Sequence, residues 1–269
     1  MLTLVLRIAC LLWAVSLAAN PASCSRAYIA YTSAGLGYDT FRDAQGQLAG
    51  FSIDFYRELA RRSACAISVE DVPPARLEAL SNNGRVALLA IAGDRHLPDR
   101  QFVPLVSMST DLLVLRDFDL KSLTTVRSDG RVIFGKVAGL TYGDWGNRLF
   151  EQIPPDRIDT SPTVEVLYRK LAAGRIGATF GFSLMYQRNI EQAQLQQRLL
   201  IVPLSEAPRG IAGMVITSAL VDERDAQHLV AVAEAMRADG TVQQLLARWL
   251  GDAVARDLVW RAARDAPAH

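Results

Sequence analysis

The side chains able to do bond-breaking chemistry are few and badly spaced for it. His96, His228 and His269 lie far apart, and none has the spacing of a metal ligand. Ser183, in "GFSLM", lacks the second glycine of a nucleophile elbow, and no Gly-rich phosphate loop occurs. What remains is the chemistry of recognition. Arg95 and Arg100, in "DRHLPDR", carry guanidinium groups that can grip a carboxylate through two parallel hydrogen bonds. Tyr38 and Phe41, in "SAGLGYDTF", can form an aromatic wall. Thr141 and Tyr142, in "AGLTY", lead into "GDWGNRLF", a helix start whose free N–H groups attract an anion. Each has a plainer reading too: a solvated arginine (Arg100 more than Arg95), loop packing, and an ordinary helix cap.

An open α/β sheet binds ligands beyond the carboxyl ends of its strands, so these residues need such a sheet beneath them. "AYIAYTS" (27–33) and "AISVEDV" (66–72) read as strands, with a helix over 52–63 between them. Strand, helix, strand in that order predicts two parallel neighbours. Cys24 and Cys65 stand just before the two strands, at one edge of the sheet and within bridging reach. In an oxidising compartment they pair, closing a loop worth roughly 4 kcal/mol on the chain-entropy view; in a reducing one they are two free thiols.

Further along, "ARLEALSN" reads as a helix with Gly84 as its stop, and "VALLAIA" as a buried strand. A second α/β unit begins near Arg131, with "RVIFGKVAG" and "RLLIVPL" as strands and "DWGNRLFEQI" as a helix. "VEVLYRKLAAGRIGATFGFS" reads as helix, glycine stop and strand. Leu80 to Val86 and Leu171 to Ile176 echo one another as helix end, Gly-Arg, buried strand. The C-terminal part reads as one strand and two helices, with Thr241 capping the second and a frayed polar tail at "RAARDAPAH".

Composition bounds the rest. With 269 residues, half of them hydrophobic, the chain can build one large domain or two small ones, and a net charge of +1 gives no basis for nucleic-acid binding. Arg7 followed by "IACLLWAVSLAA" and "NPAS" has the form of a secretory signal peptide over residues 1–23. A retained anchor and lipidation at Cys24 are the alternatives. The expected compartment is the periplasm, which favours the disulfide reading of Cys24 and Cys65.

Several stretches carry a resemblance in order along the chain. They are "GQLAGFSIDFYRELARR", "PPARLEALSNNGRVALLAIAGDR", "FVPLVS", "KVAGLTYGDW" and, most specific, "MRADGTVQQLLARWLG". Together the chain resembles the family-3 periplasmic solute-binding proteins, receptors of polar amino-acid uptake systems. The resemblance implies a type II two-lobe α/β fold joined by two crossing hinge strands. It places lobe one at 24–113 plus 209–269 and lobe two at 114–208, with crossings near Leu112–Asp117 and Ser205–Gly213. It implies a solute held between hinged lobes, with an arginine on the ligand carboxylate and an aromatic residue over it. It also implies a membrane permease of an ABC transporter as partner, with no cofactor, no metal and a monomeric chain.

One departure stands out. The family's receptors place an aspartate after the second-lobe strand to hold an ammonium group, where this chain has Gly181, Phe182 and Ser183, and Ala87 and Gly177 replace another family aspartate. A carboxylate, or a solute of smaller polar demand, therefore fits better than an α-amino acid, with Ser183 and Tyr186 offering hydroxyls. Two other outputs use this fold: an accessory or sensory protein for a periplasmic oxidoreductase or signalling partner, and a dehydratase of the cyclohexadienyl type. The latter needs a poised acid, for which Glu78 and Asp94 are the nearest candidates.

Overall fold

A computed structural model describes residues 24–93 and 99–265. The expected signal peptide, Asp94, Arg95, His96 and His269 lie outside the described residues. In chain order the elements are β1 (Tyr28–Thr32), the short hairpin β2 (Phe41–Arg42) and β3 (Leu48–Ala49), α1 (Phe51–Ser63), β4 (Ile67–Asp71), α2 (Pro74–Asn82), β5 (Leu88–Gly93), β6 (Arg100–Met108) and β7 (Thr110–Leu115). Then come α3 (Leu123–Ser128), β8 (Phe134–Val137), α4 (Gly143–Glu151), β9 (Ile158–Ser161), α5 (Val164–Ala172), β10 (Ala178–Phe182), α6 (Ser183–Gln192) and β11 (Leu199–Pro203). The chain closes with β12 (Gly210–Thr217), α7 (Glu223–Ala238), α8 (Thr241–Leu250), α9 (Asp252–Leu258) and α10 (Ala262–Asp265).

Two five-stranded sheets, in the orders β4-β1-β5-β12-β6 and β11-β7-β10-β8-β9, define two lobes. β1 pairs in parallel with β4, Tyr28 opposite Ile67, as strand–helix–strand order requires. That register brings the preceding residues together, and Cys24 and Cys65 form a disulfide with Cα atoms 4.9 Å apart. The echo between the lobes is real as local geometry. Gly84 and Gly174 both take left-handed φ, and in each case the next arginine's N–H returns to the last helical turn, Arg85 to Leu80 and Arg175 to Lys170.

The chain changes sheets between Met108 and Thr110, and again between Pro203 and Gly210. The expected first crossing at Leu112–Asp117 is instead mostly the body of β7, buried throughout and paired on both sides with β10 and β11. β12 returns to the first sheet between β5 and β6, antiparallel to both.

The C-terminal region differs from expectation in two ways. Gly240, not Thr241, is the N-cap of α8; the Thr241 hydroxyl donates to Asp239 instead. The tail through Asp265 is also not frayed. Asp265 is buried, accepting from Ser107 Oγ at 2.9 Å and from the Arg261 N–H at 2.9 Å, with Arg264 also bonded to it. A carboxylate that collects this many donors pins α10 to β6, which polarity alone could not foretell.

Candidate functional site

The carboxyl ends of β8 and β10 in the second sheet, and the loop after β1 of the first, meet at a cleft. The loop after β1 crosses it. Its first element is the aromatic wall: Tyr38 and Phe41 meet edge to face at 6.2 Å, and Trp249 joins them, stacked on Tyr38 at 6.3 Å and edge-on to Phe41 at 5.3 Å. Trp249 comes from α8, some two hundred residues away in sequence. Its indole N–H donates to Asp54 at 3.1 Å, which fixes the ring against α1.

The second lobe answers with α6. Arg188 lies over the Phe41 ring at 3.9 Å from its centroid, and the Tyr38 hydroxyl donates to Glu191 at 2.7 Å. The Tyr38 backbone N–H donates to the Leu184 carbonyl at 2.9 Å, and Asn189 Nδ2 donates to the Gly35 carbonyl at 3.1 Å. On the other flank, Gly139 of the β8–α4 turn lies against Pro74 and Ala75 at the start of α2. The two lobes thus touch on both flanks, and a small pocket of about 30 Å³ lies in the second lobe against Leu36. That is room for a water or two.

Thr141 lines this cavity and accepts from Asn147 Nδ2 at 3.4 Å. Asn147 also accepts from the Tyr142 N–H at 3.2 Å, so the chain itself occupies part of the helix start. Tyr142 lines the cavity but is otherwise a core residue, packed with Phe150 and Phe180. Its hydroxyl accepts from the Val137 N–H at 3.0 Å, and burial pushes its pKa up to about 12. Ser183 is the half-buried first residue of α6 and does not line the cavity. Tyr186 does line it, but its hydroxyl is committed to Asp111 at 2.6 Å.

Arg100 is not brought to the cleft. It pairs with Thr217 at the end of the sheet where β5 begins, opposite the carboxyl ends of β1 and β5. Its guanidinium donates to the Ser81 hydroxyl at 2.9 Å and to the Ser81 carbonyl. Glu78 lies half-buried on α2.

Two buried carboxyl groups near the cleft were not singled out by the sequence. Asp111 stands opposite Gly181 across the β7–β10 ladder, and burial raises its pKa against the opposing effect of the Tyr186 bond. Asp39 is fully buried between Tyr38 and Thr40. Burial pushes it up to about 7, although the Ser52 and Thr40 hydroxyls donate to it. Among the described residues, no group of histidines, cysteines or acids could hold a metal ion. No described helix is long and apolar enough to cross a membrane.

The two-lobed architecture is that of periplasmic solute-binding proteins. An ancestral arginine-binding protein bound to arginine superposes with a TM-score of 0.68 at 15% identity, covering 84% of this chain and 98% of its own. An ABC uptake transporter substrate-binding protein from Streptococcus pneumoniae with bound histidine gives 0.72 at 13% identity, covering 87% and 95%. A histidine kinase sensor domain with similarity to periplasmic binding proteins gives 0.70 at 17%, covering 84% and 96%. No family model matches the chain. No curated protein matches it either.

Proposed function

We propose that this chain is an exported solute-binding protein that captures a small solute between its lobes and presents it to an ABC-type membrane transporter. The lobes are residues 24–109 with 209–265, and 110–208, moving as hinged bodies about the two chain crossings. The observation that carries the reading is the meeting of the β1 loop with α6 across the cleft, with an aromatic wall on one side and Arg188 on the other. The proteins of like fold that hold arginine and histidine support a small-molecule ligand. The absence of an acid at Gly181–Ser183 favours an anionic or weakly polar solute over an α-amino acid. In this reading Arg95 holds the anionic end, Thr141 supports it and Tyr38 and Phe41 cover it.

The test is a thermal-unfolding screen of the mature protein against amino acids, dicarboxylates, aromatic acids and amines. A solute at a hundred times its Kd stabilises by about 2.7 kcal/mol. An acid should raise the midpoint, and Arg95→Ala should abolish that rise. An amino-acid hit overturns the ligand class, and an unchanged response in Arg95→Ala overturns the role of Arg95. If no solute shifts the midpoint, capture itself fails. The likeness to a kinase sensor domain then favours a second reading, in which the two-lobed body is read directly by a signalling or oxidoreductase partner.

A further inference from the structure

Leu36, at the tip of the β1 loop, belongs to the first lobe by chain and to the second by packing. Its side chain packs against the second-lobe cluster that includes Val137, Val164, Leu167, Tyr168 and Tyr186. Among the described residues lining the small cavity, Leu36 is the one wall that the first lobe supplies. The loop is built to present it. The Leu36 N–H donates to the Thr40 carbonyl at 3.0 Å and the Asp39 N–H returns to the Leu36 carbonyl at 3.2 Å, so the turn closes on itself beneath the side chain.

The groups on either side of Leu36 are held by the second lobe. Buried Asn189 divides its amide between the Gly35 carbonyl and the Met185 carbonyl, and Tyr38 N–H meets the Leu184 carbonyl. Gly37 sits between them at φ 65°, and any Cβ there would collide with the Met185 carbonyl. Only glycine allows so close an approach with that backbone. An aliphatic side chain sits in a pocket of the opposite lobe, with its flanking carbonyl and amide groups hydrogen-bonded there. That is how a bound molecule is held, yet here the molecule is the chain.

We propose that Leu36 is a tethered occupant of an apolar binding pocket in the second lobe. The cleft closes on the chain itself, and an incoming solute must displace Leu36 with an aliphatic group of similar size. The identity of the displacing solute rests on the solute-capture reading; the occupancy by Leu36 does not. The chemical class of the displacing group follows from the walls that hold Leu36: a branched aliphatic group fits among Val137, Val164 and Leu167, which leaves the solute's anionic end to the Thr141 side of the pocket.

The experiment compares the parent with Leu36→Ala, using isobutanol as apolar probe and ethylene glycol as polar control. Thermal unfolding and the radius of gyration from solution scattering are both read. Truncation leaves an apolar cavity that a small apolar molecule can fill. The expected result is a lowered midpoint in Leu36→Ala that isobutanol, not glycol, raises again, with no response in the parent. A Leu36→Ala protein as compact as the parent and indifferent to isobutanol overturns the proposal. Should that variant not fold, Gly37→Ala serves instead: it keeps Leu36 but blocks its docking, so the scattering radius should grow. A Gly37→Ala protein with the parent's radius overturns the proposal. Isobutanol rescue without any solute in the parent screen sinks solute capture and leaves the occupant standing. A solute that binds the parent and Leu36→Ala equally does the reverse.

Discussion

Arg188 on α6 of the second lobe lies over the ring of Phe41 in the first, 3.9 Å from its centroid, and Phe41 is in turn edge-on to Trp249. The guanidinium is partly buried there, and burial lowers its pKa while Tyr38, Glu191 and Glu165 oppose that shift. A cation on an aromatic face is worth about 0.5–2 kcal/mol, more when water is excluded. Because the pair joins the lobes, its energy belongs to closure as much as to folding.

A double-mutant cycle isolates that energy. Arg188→Met and Phe41→Leu should each lower the denaturation free energy, and the pair should show a coupling of about 1 kcal/mol. Strictly additive effects would mean that the stacked geometry contributes nothing beyond packing.

Asp39 sets a pH dependence of unusual sign. Its folded pKa is about 7, raised by burial, against about 4 in an unfolded chain. Between those values the folded state binds the extra proton, so raising the pH across that window removes stability, and the loss is complete above pH 7. The groups facing it are the Ser52 and Thr40 hydroxyls and the Tyr56 phenol. Asp39→Asn keeps the Ser52 bond and removes the titration. Unfolding free energies from urea titrations at pH 4.5, 6 and 8 should fall with pH in the parent relative to Asp39→Asn, by a few kcal/mol in all. Parallel curves for the two proteins would refute the buried carboxyl's role.

Asp265 predicts the opposite slope. Burial pushes its carboxyl up, but the Arg264, Arg261 and Ser107 donors outweigh that and hold it below the usual range. Its stabilisation is present above about pH 4 and lost as the pH falls through the lower folded value. Asp265→Asn should therefore cost stability at neutral pH, by about 1–3 kcal/mol, and progressively less at acid pH, below the ordinary carboxylate range. Equal cost at neutral and acid pH would show that charge plays no part in pinning α10.

The Cys24–Cys65 bridge ties residues 41 apart. Replacing both by serine, or reducing the bridge, should lower stability by up to about 4 kcal/mol, read as a shifted urea midpoint with and without reductant. No shift would place the bridge's effect in the unfolded ensemble's residual structure.

Local order was legible where short-range chemistry decides it. The parallel β1–β4 pair and its disulfide followed from strand–helix–strand order and the positions of Cys24 and Cys65. The glycine stops at Gly84 and Gly174 were likewise readable. The change of sheet was harder to place. Only Ser109 separates β6 from β7, and "VPLVSMSTDLLVL" carries no glycine or proline at the switch.

The contacts between the lobes were legible in part, for similar reasons. Tyr38 and Phe41 are neighbours in one loop, so their meeting could be expected. Trp249 and Arg188 reach Tyr38 and Phe41, and Asp111 reaches Tyr186, from distant elements, and no periodicity links them. Arg100 misled because a guanidinium after a buried strand looks the same whether the strand end faces the cleft or its far edge. The register with Thr217 decides that, and register is a property of the whole sheet.

The position of β12 has a consequence for the order of assembly. Between β5 and β6 lies a strand that the chain supplies only at Gly210–Thr217, so the first sheet cannot close during synthesis until the second lobe has been made. The second sheet, by contrast, draws all five strands from one uninterrupted run, 110–203. Shorter loops close at lower entropic cost, so the later-encoded lobe should acquire protection first. Pulse-labelled hydrogen exchange during refolding would then find the amides of β7 and β10 shielded while those of β5 and β6 still exchange. The half-sheet of β4, β1 and β5 must meanwhile persist with an open edge, held by a disulfide that needs no other part of the chain.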